Sequence, residues 1–217
     1  MKTIMAVYLS ALLVVLSTFL FEACTTAPPN LTAHRLKAGD PTPVVPGFLA
    51  PWTQTVLNDI EIDGLLVRMN EASTDMDRFC TGYDKMSASD QATVWVYLMS
   101  GIAKYESDYN PTSEMTESDG SVSQGLFQLT YGNAFCPRSS AQANLNDPVV
   151  NINCAVQLMT QFAVSDKVIA AGGYPAYGAP PAKGLARYWS VLRVPDTNSQ
   201  HHLADIIAFT QKAPGCN

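Results

Sequence analysis

The chain has 217 residues, of which 47% are hydrophobic and 15% charged, and this is enough for one globular domain with a buried core. Its formal net charge is −6 and it has no run of basic residues, which argues against nucleic acid as a partner. A neutral or weakly charged polysaccharide is compatible with this charge.

The first predicted element is an apolar N-terminal segment of the export type. Lys2 precedes the run IMAVYLSALLVVLSTFLF, and a basic residue before such a run is typical of a secretory signal. The length of the run leaves an uncleaved membrane anchor as an alternative. The Ala-Cys pair that ends at Cys24 resembles a bacterial lipobox, although Phe21 and Glu22 depart from that pattern. We therefore predict a lipoprotein-type signal peptide over residues 1–23 and lipidation of Cys24.

These features predict an exported, periplasmic protein that a lipid attaches to a membrane. Thr25 follows Cys24, so the Asp that signals inner-membrane retention in some bacteria is absent, and this favours the outer membrane. A secreted protein and an N-terminal membrane anchor are the alternatives. Residues 24–51 are rich in Thr, Pro and Ala, a composition typical of a flexible tether. The folded domain is predicted over residues 52–217.

The remaining cysteines predict disulfides. Without the lipidated residue four cysteines are left, and in an exported chain two disulfides are the natural interpretation. Three pairings are possible, of which we favour Cys136–Cys154 and Cys80–Cys216. The sequence contains no C-x-x-C pair or Cys/His cluster, and the adjacent histidines near the C-terminus would point in different directions on a helix. We predict no metal and no cofactor.

The rest of the chain has mainly helical periodicity. The predicted helical segments are TQTVLNDIEIDGLLVRMNEAS, SASDQATVWVYLMSGIAKYE, NDPVVNINCAVQLMTQFAV, AKGLARYWSVLR and SQHHLADIIAFTQK. Ser87 or Ser89 is the expected N-cap of the second helix, and Asp147 with Pro148 marks the start of the third. Strand signals are sparse, so we expect a mainly α fold with a small or absent β element.

Three motifs follow one another from the end of the second helix. They are Glu106 to Pro111 (ESDYNP), Ser123 to Leu129 (SQGLFQL) and Asn144 to Ile152 (NLNDPVVNI). In this order they resemble the motifs of the SLT-type lytic transglycosylases, which belong to the lysozyme-like superfamily. The resemblance spans roughly Val94 to Leu192, and it implies a lysozyme-like fold.

The resemblance also implies roles for individual residues. Glu106 takes the place of the catalytic acid/base, the Gly-Leu-x-Gln segment lines the sugar cleft, and a late tyrosine, here Tyr188, approaches the acid. Trp189 stands where the family has Asn, which puts the outer sugar subsites in doubt. The residues expected to bind substrate are Ser123, Gly125, Leu126, Phe127, Gln128, Tyr188 and Trp189.

The function that this resemblance implies is cleavage of peptidoglycan glycan strands. The bond between MurNAc and GlcNAc would be broken with a 1,6-anhydro product, and Glu106 would act first as acid and then as base. Such a carboxyl must be protonated near neutral pH, and burial among apolar rings raises its pKa because the charged form loses hydration.

Two alternatives remain open at this point. A hydrolysing lysozyme on the same fold would normally need a second carboxylate across the scissile bond. We interpret the available carboxylates as part of a solvated polar segment, which favours a mechanism with one carboxylate; these are Asp108, Glu114, Glu117 and Asp119. The other alternative is a non-catalytic, peptidoglycan-binding lipoprotein, because the altered sequence around Trp189 is compatible with lost activity.

Overall fold

The computed structural model describes residues 42–62, 64–130, 144–194 and 202–216. Within these ranges the protein is mainly helical. The helices are α1 (Ala50–Ile62), α2 (Leu65–Ala72), α3 (Met76–Phe79), α4 (Ala88–Ser107), α5 (Pro148–Asp166) and α6 (His202–Thr210). The strands are β1 (Glu114–Thr116), β2 (Val122–Gln124), β3 (Leu129–Thr130), β4 (Ala170–Ala171) and β5 (Lys183–Gly184). Single 3₁₀ turns occupy Tyr83–Lys85, Pro175–Tyr177, Leu185–Arg187 and Ser190–Leu192.

Several sequence predictions concern residues outside these ranges. The predicted signal peptide, Cys24 and most of the tether precede residue 42, and Cys136 falls between residues 130 and 144. Lipidation and the Cys136–Cys154 disulfide therefore stay predictions. In the part of the chain that is described, no helix is both long and apolar enough to cross a membrane.

Helix α4 lies at the centre of the core. The Ser87 hydroxyl accepts a hydrogen bond of 3.2 Å from the N–H of Asp90, which confirms Ser87 as the N-cap. Twelve consecutive residues, 92–103, are buried, so the helix is enclosed on all sides rather than on one stripe. Helices α1 and α6 pack against it. This packing fixes the position of the helix end, where Glu106 lies.

Helix α5 begins where the sequence predicts. The Asp147 carboxylate accepts a hydrogen bond of 2.8 Å from the N–H of Val149, and Pro148 occupies the first helical position, where its missing N–H costs nothing. The helix packs against α1 and α2. Its first turn faces the segment that carries the second motif.

Two predicted helices differ from the structure. The first is divided into α1 and α2 near Gly64, whose φ is +61°. The late segment AKGLARYWSVLR is not an α-helix, and that prediction was wrong. It forms β5 and two 3₁₀ turns, because Gly184 has φ +61° and a Cβ there would lie 2.3 Å from the carbonyl oxygen of Val168.

The β element is small, as expected. Strands β1, β2 and β3 form an antiparallel sheet in chain order, in which Ser123 lies opposite Met115 on one side and Thr130 on the other. Strands β4 and β5 form a separate antiparallel pair. The three-stranded sheet follows α4 after a short turn, so it stands next to the end of that helix.

The packed domain begins before residue 52. Val45 and Phe48 are buried, and the buried Ser100 hydroxyl donates a hydrogen bond of 2.8 Å to the carbonyl of Pro46. The last residues of the predicted tether are therefore part of the folded domain.

A disulfide joins Cys80, directly after α3, to Cys216 in the C-terminal tail. The predicted Cys80–Cys216 pairing is confirmed. Because the two cysteines are 136 positions apart, the bond closes most of the described chain into one loop.

Candidate active site

Glu106 lies in the last turn of α4 and is half-buried. Its Oε1 atom is completely buried and has no hydrogen-bond partner among the described residues. Burial, assisted by repulsion from Glu117 and opposed by the Arg193 guanidinium, raises the pKa of Glu106 from 4.5 to about 7. A carboxyl with this pKa is partly protonated at neutral pH, so it can give a proton to a bound molecule.

The end of α4 turns the chain sharply away from Glu106. Asp108 and Tyr109 both have positive φ, 50° and 62°, which is uncommon for residues with a side chain. Ser107 joins the helix end to the second motif, because its hydroxyl lies 3.0 Å from the carbonyl oxygen of Leu126 and 3.1 Å from that of Ala103. The last turn of α4, which carries Glu106, is therefore held in place by these contacts.

The carboxylate of Glu117 belongs to the same site. The interpretation of Glu117 as part of a solvated segment is wrong, because the residue is half-buried and its charge helps to raise the pKa of Glu106. Glu117 is half-buried at the turn between β1 and β2, its N–H donates to the carbonyl of Ser121 (2.8 Å), and its Oε1 accepts a hydrogen bond of 2.5 Å from the Ser123 hydroxyl. The sheet folds this turn back towards α4. Asp108, Glu114 and Asp119 are exposed, as expected.

Gly125 and Asn151 hold the second motif in place. A Cβ at Gly125 would lie 2.3 Å from both the Asn151 amide and the carbonyl oxygen of Leu145, and the φ of Gly125 is +76°, so only glycine fits. The fully buried Asn151 accepts a hydrogen bond from the N–H of Phe127 and donates to the carbonyls of Gln124 and Leu145, each at 2.9 Å. One side chain thus fixes three backbone groups.

Most residues predicted to bind substrate are packed behind the site. Leu126 and Phe127 are fully buried, and the Gln128 amide donates to the carbonyls of Ser113 and Gly125 at 3.0 and 2.9 Å. The structure gives these side chains a packing role, and substrate contact by them stays a prediction.

Tyr188 connects the late segment to the sheet. Its hydroxyl accepts a hydrogen bond of 3.0 Å from the N–H of Thr130 and donates one of 3.2 Å to the carbonyl of Gln128. Burial raises the pKa of Tyr188, and the charges of Glu106 and Glu117 raise it further. Both carboxyl groups therefore act on Tyr188 through their charge, and the direct approach of Tyr188 to Glu106 that the resemblance implies stays a prediction.

Trp189 packs in the core. Only 1% of it is exposed, and its indole N–H donates a hydrogen bond of 3.1 Å to the carbonyl of Phe127. Its ring meets those of Phe127 and Tyr188 edge to face. Trp189 therefore belongs to the apolar core that packs against the second motif.

Sequence reasoning did not identify three residues of this site. Asn151 stood inside a quoted motif, and its place one turn after Pro148 could have marked it as a buried amide. Glu117 and Arg193 carry no local signal, since their approach to Glu106 depends on how the sheet and the late segment fold.

Among the described residues, no group of His, Cys, Asp and Glu could hold a metal ion.

The candidate active site therefore consists of a buried, partly protonated carboxyl at a helix end and a second carboxylate whose charge acts on it.

No protein-family model matches the chain, and no curated protein matches it either. Three solved structures of Bd0314 DslA, a Bdellovibrio protein, do match. The wild-type structure has a TM-score of 0.64 and is 27% identical, over 77% of this chain and 91% of that one.

The other two DslA structures are variants in which one glutamate is replaced by glutamine. Their TM-scores are 0.64 and 0.63, with 26% and 27% identity over the same shares of the two chains. The two substituted glutamates are eleven positions apart in DslA. The similarity indicates a related family.

Proposed function

We propose that this protein is a muramidase with a lysozyme-like fold, which hydrolyses peptidoglycan glycan strands between MurNAc and GlcNAc. The observation that carries the proposal is the buried carboxyl of Glu106, with a pKa of about 7 and an unpartnered oxygen. The order of the three motifs supports the class of substrate.

Glu106 acts as the general acid in this proposal. Breaking a glycosidic bond leaves negative charge on the departing oxygen, and a proton given in the transition state removes it. Burial of the Glu106 carboxyl keeps water from solvating its charged form. The same carboxyl, once ionised, can accept a proton in a later step.

Glu117 favours hydrolysis over transglycosylation. Glycosidases that use water generally have a second carboxylate, as a base that activates the water or as a nucleophile. The charge of Glu117 acts directly on Glu106. Glu106 and Glu117 are eleven positions apart, the same separation as the two glutamates substituted in DslA, which supports a paired role for them.

Lytic transglycosylation is the second candidate, and the motif order favours it. In that reaction the muramoyl sugar's own hydroxyl attacks the anomeric carbon, and Glu106 alone serves as acid and base. Glu117 would then be dispensable, so the two reactions differ in a residue that can be changed as well as in their products.

The test is digestion of purified murein sacculi by the full chain, with mass spectrometry of the released muropeptides. Reducing ends support hydrolysis, and 1,6-anhydro ends, lighter by one water, support transglycosylation. Glu106→Gln is expected to lower the rate by about 10² to 10⁴, and Glu117→Gln by a similar factor only if water is the acceptor. Glu71→Gln, an exposed carboxylate on α2, is the matched control.

A protein that binds sacculi but releases nothing would contradict the proposal in favour of a binding lipoprotein.

We also propose, from the sequence alone, that the protein is exported and anchored through a lipid on Cys24. Incorporation of labelled palmitate into the wild type and its loss in Cys24→Ser would be the expected result; equal labelling of both would contradict it.

A further inference from the structure

Ser123 is a buried hydroxyl in the central strand of the three-stranded sheet, with 4% of the residue exposed. A buried hydroxyl without a partner destabilises the folded protein, so the groups that bond Ser123 indicate what its hydroxyl does. Its Oγ lies 2.5 Å from Oε1 of Glu117 and 3.4 Å from Oγ1 of Thr130.

The direction of these hydrogen bonds follows from the chemistry of the groups. An ionised carboxylate can only accept, so the single hydroxyl proton of Ser123 goes to Glu117. Thr130 is then the donor to Ser123. Because the N–H of Thr130 also donates to the Tyr188 hydroxyl, contacts run continuously from Tyr188 through Thr130 and Ser123 to Glu117.

The turn that carries Glu117 is also fixed at its backbone. The N–H of Glu117 donates to the carbonyl of Ser121 at 2.8 Å, and the N–H of Gly120 donates to the carbonyl of Glu117 at 3.0 Å. With the main chain held in this way, the remaining freedom of Glu117 is in its side chain. The hydrogen bond from Ser123 limits that freedom.

We infer that Ser123 is a positioning residue, which fixes the Glu117 carboxylate in the site through a hydrogen bond, rather than a substrate-binding residue. The inference rests on the proposed hydrolysis, in which Glu117 acts on water or on the anomeric carbon. A displacement of about 1 Å of a reacting group can cost a factor of about 10² in rate. Ser123 therefore influences the chemical step through Glu117.

The experiment compares Ser123→Ala with wild type in the full chain, on soluble glycan strands. We expect kcat to fall about ten- to a hundredfold while KM stays within about twofold. Ser121→Ala is the matched control, because it removes from the same hairpin a half-buried hydroxyl that bonds Asp119 and not Glu117, and it should leave kcat unchanged. Ser123→Thr keeps the hydroxyl and should retain most of the activity.

A double-mutant cycle with Glu117→Gln separates positioning from a merely structural role. If Ser123 acts through Glu117, adding Ser123→Ala to Glu117→Gln lowers the residual rate no further. An equal loss in both backgrounds, a rise in KM at unchanged kcat, or a loss in Ser123→Thr as large as in Ser123→Ala would overturn the inference. An inactive wild type, or an active one unaffected by Glu117→Gln, would instead contradict the proposed hydrolysis.

Discussion

Glu106 makes the stability of this protein depend on pH. Its folded pKa of about 7 lies above the ordinary value of 4.5, so the folded state holds a proton that the unfolded state releases. The contribution to stability is complete below pH 4.5, is lost as the pH rises through 7, and changes no further at higher pH. Ionisation of Glu106 destabilises the folded protein because the carboxylate is buried and one of its oxygens has no hydrogen bond among the described residues.

Glu106→Gln is therefore expected to be more stable than wild type at alkaline pH. Each pH unit between the two pKa values is worth about 1.4 kcal/mol, so the free energy of unfolding should differ between wild type and variant by up to about 3 kcal/mol more at pH 8 than at pH 4.5. Urea unfolding across this pH range, with the disulfides intact, measures the difference.

The exposed carboxylate of Glu71 supplies the control. Glu71→Gln should follow the pH dependence of the wild type. If the difference between Glu106→Gln and wild type were the same at every pH, the pKa of Glu106 in the folded protein would be ordinary, and it could not serve as a general acid near neutral pH.

At the scale of elements, the site lies where α4, the three-stranded sheet and the start of α5 meet. Asn151, in the first turn of α5, bonds the backbone of Phe127 in the loop between β2 and β3 and of Gln124 at the end of β2, and a third hydrogen bond holds Leu145 before α5. Tyr188 attaches the late segment to the same loop. The position of the Glu106 carboxyl on α4 thus depends on contacts made by elements distant in sequence.

Asn151→Ala is expected to lower the free energy of unfolding by about 2 to 5 kcal/mol. The change leaves a buried N–H and two buried carbonyls without partners, and each such group costs about 1 to 3 kcal/mol before relaxation and entry of water. Urea unfolding measures the loss. Asn58→Ala, on the exposed face of α1, should change stability by less than about 0.5 kcal/mol; a similar loss in both variants would contradict the role of Asn151.

The elements that the sequence predicts well are those with local signals. Ser87 and the pair Asp147-Pro148 start α4 and α5 because capping is decided within one turn of chain. The late segment around Gly184 has helical periodicity, but its turns are imposed by close approach to the carbonyl of Val168. Periodicity cannot reveal such a contact between distant residues.

The same contrast between local signals and contacts of distant residues applies to the candidate site. Glu106 could be predicted because its motif is contiguous, whereas Glu117 looked solvated since its burial requires strand pairing between β1 and β2. Phe127 and Trp189 were expected in a sugar cleft, but apolar rings next to a catalytic residue can equally form the wall behind it. Only tertiary packing distinguishes the two positions.

At the scale of the whole molecule, both ends of the described domain, from residue 42 to residue 216, pack onto the same core. The segment before α1 packs through Val45 and Phe48, and the C-terminal tail is joined to the end of α3 by the Cys80–Cys216 disulfide. Helix α6 leads directly into this tail and packs against α4. The disulfide therefore restrains a helix that supports the one carrying Glu106.

Replacing both cysteines, as Cys80→Ala with Cys216→Ala, is expected to lower the free energy of unfolding by about 3 to 5 kcal/mol. The disulfide spans 136 positions, and closing a loop of this length removes much of the conformational entropy of the unfolded chain. The double variant avoids a free thiol, which could exchange with the other cysteines. Urea unfolding under non-reducing conditions measures the loss.

The disulfide and the site are at opposite ends of α4, since Cys80 Sγ is 3.9 Å from Sδ of Met86 just before the helix, and Glu106 is in its last turn. This separation gives the prediction a second readout. At a temperature where the double variant is fully folded, its kcat on glycan strands should equal that of wild type, because Glu106, Glu117 and the sheet keep their contacts. Unchanged stability would show that tail and core remain joined without the bond. A fall in kcat at full folding would show that the tail also determines the position of α4.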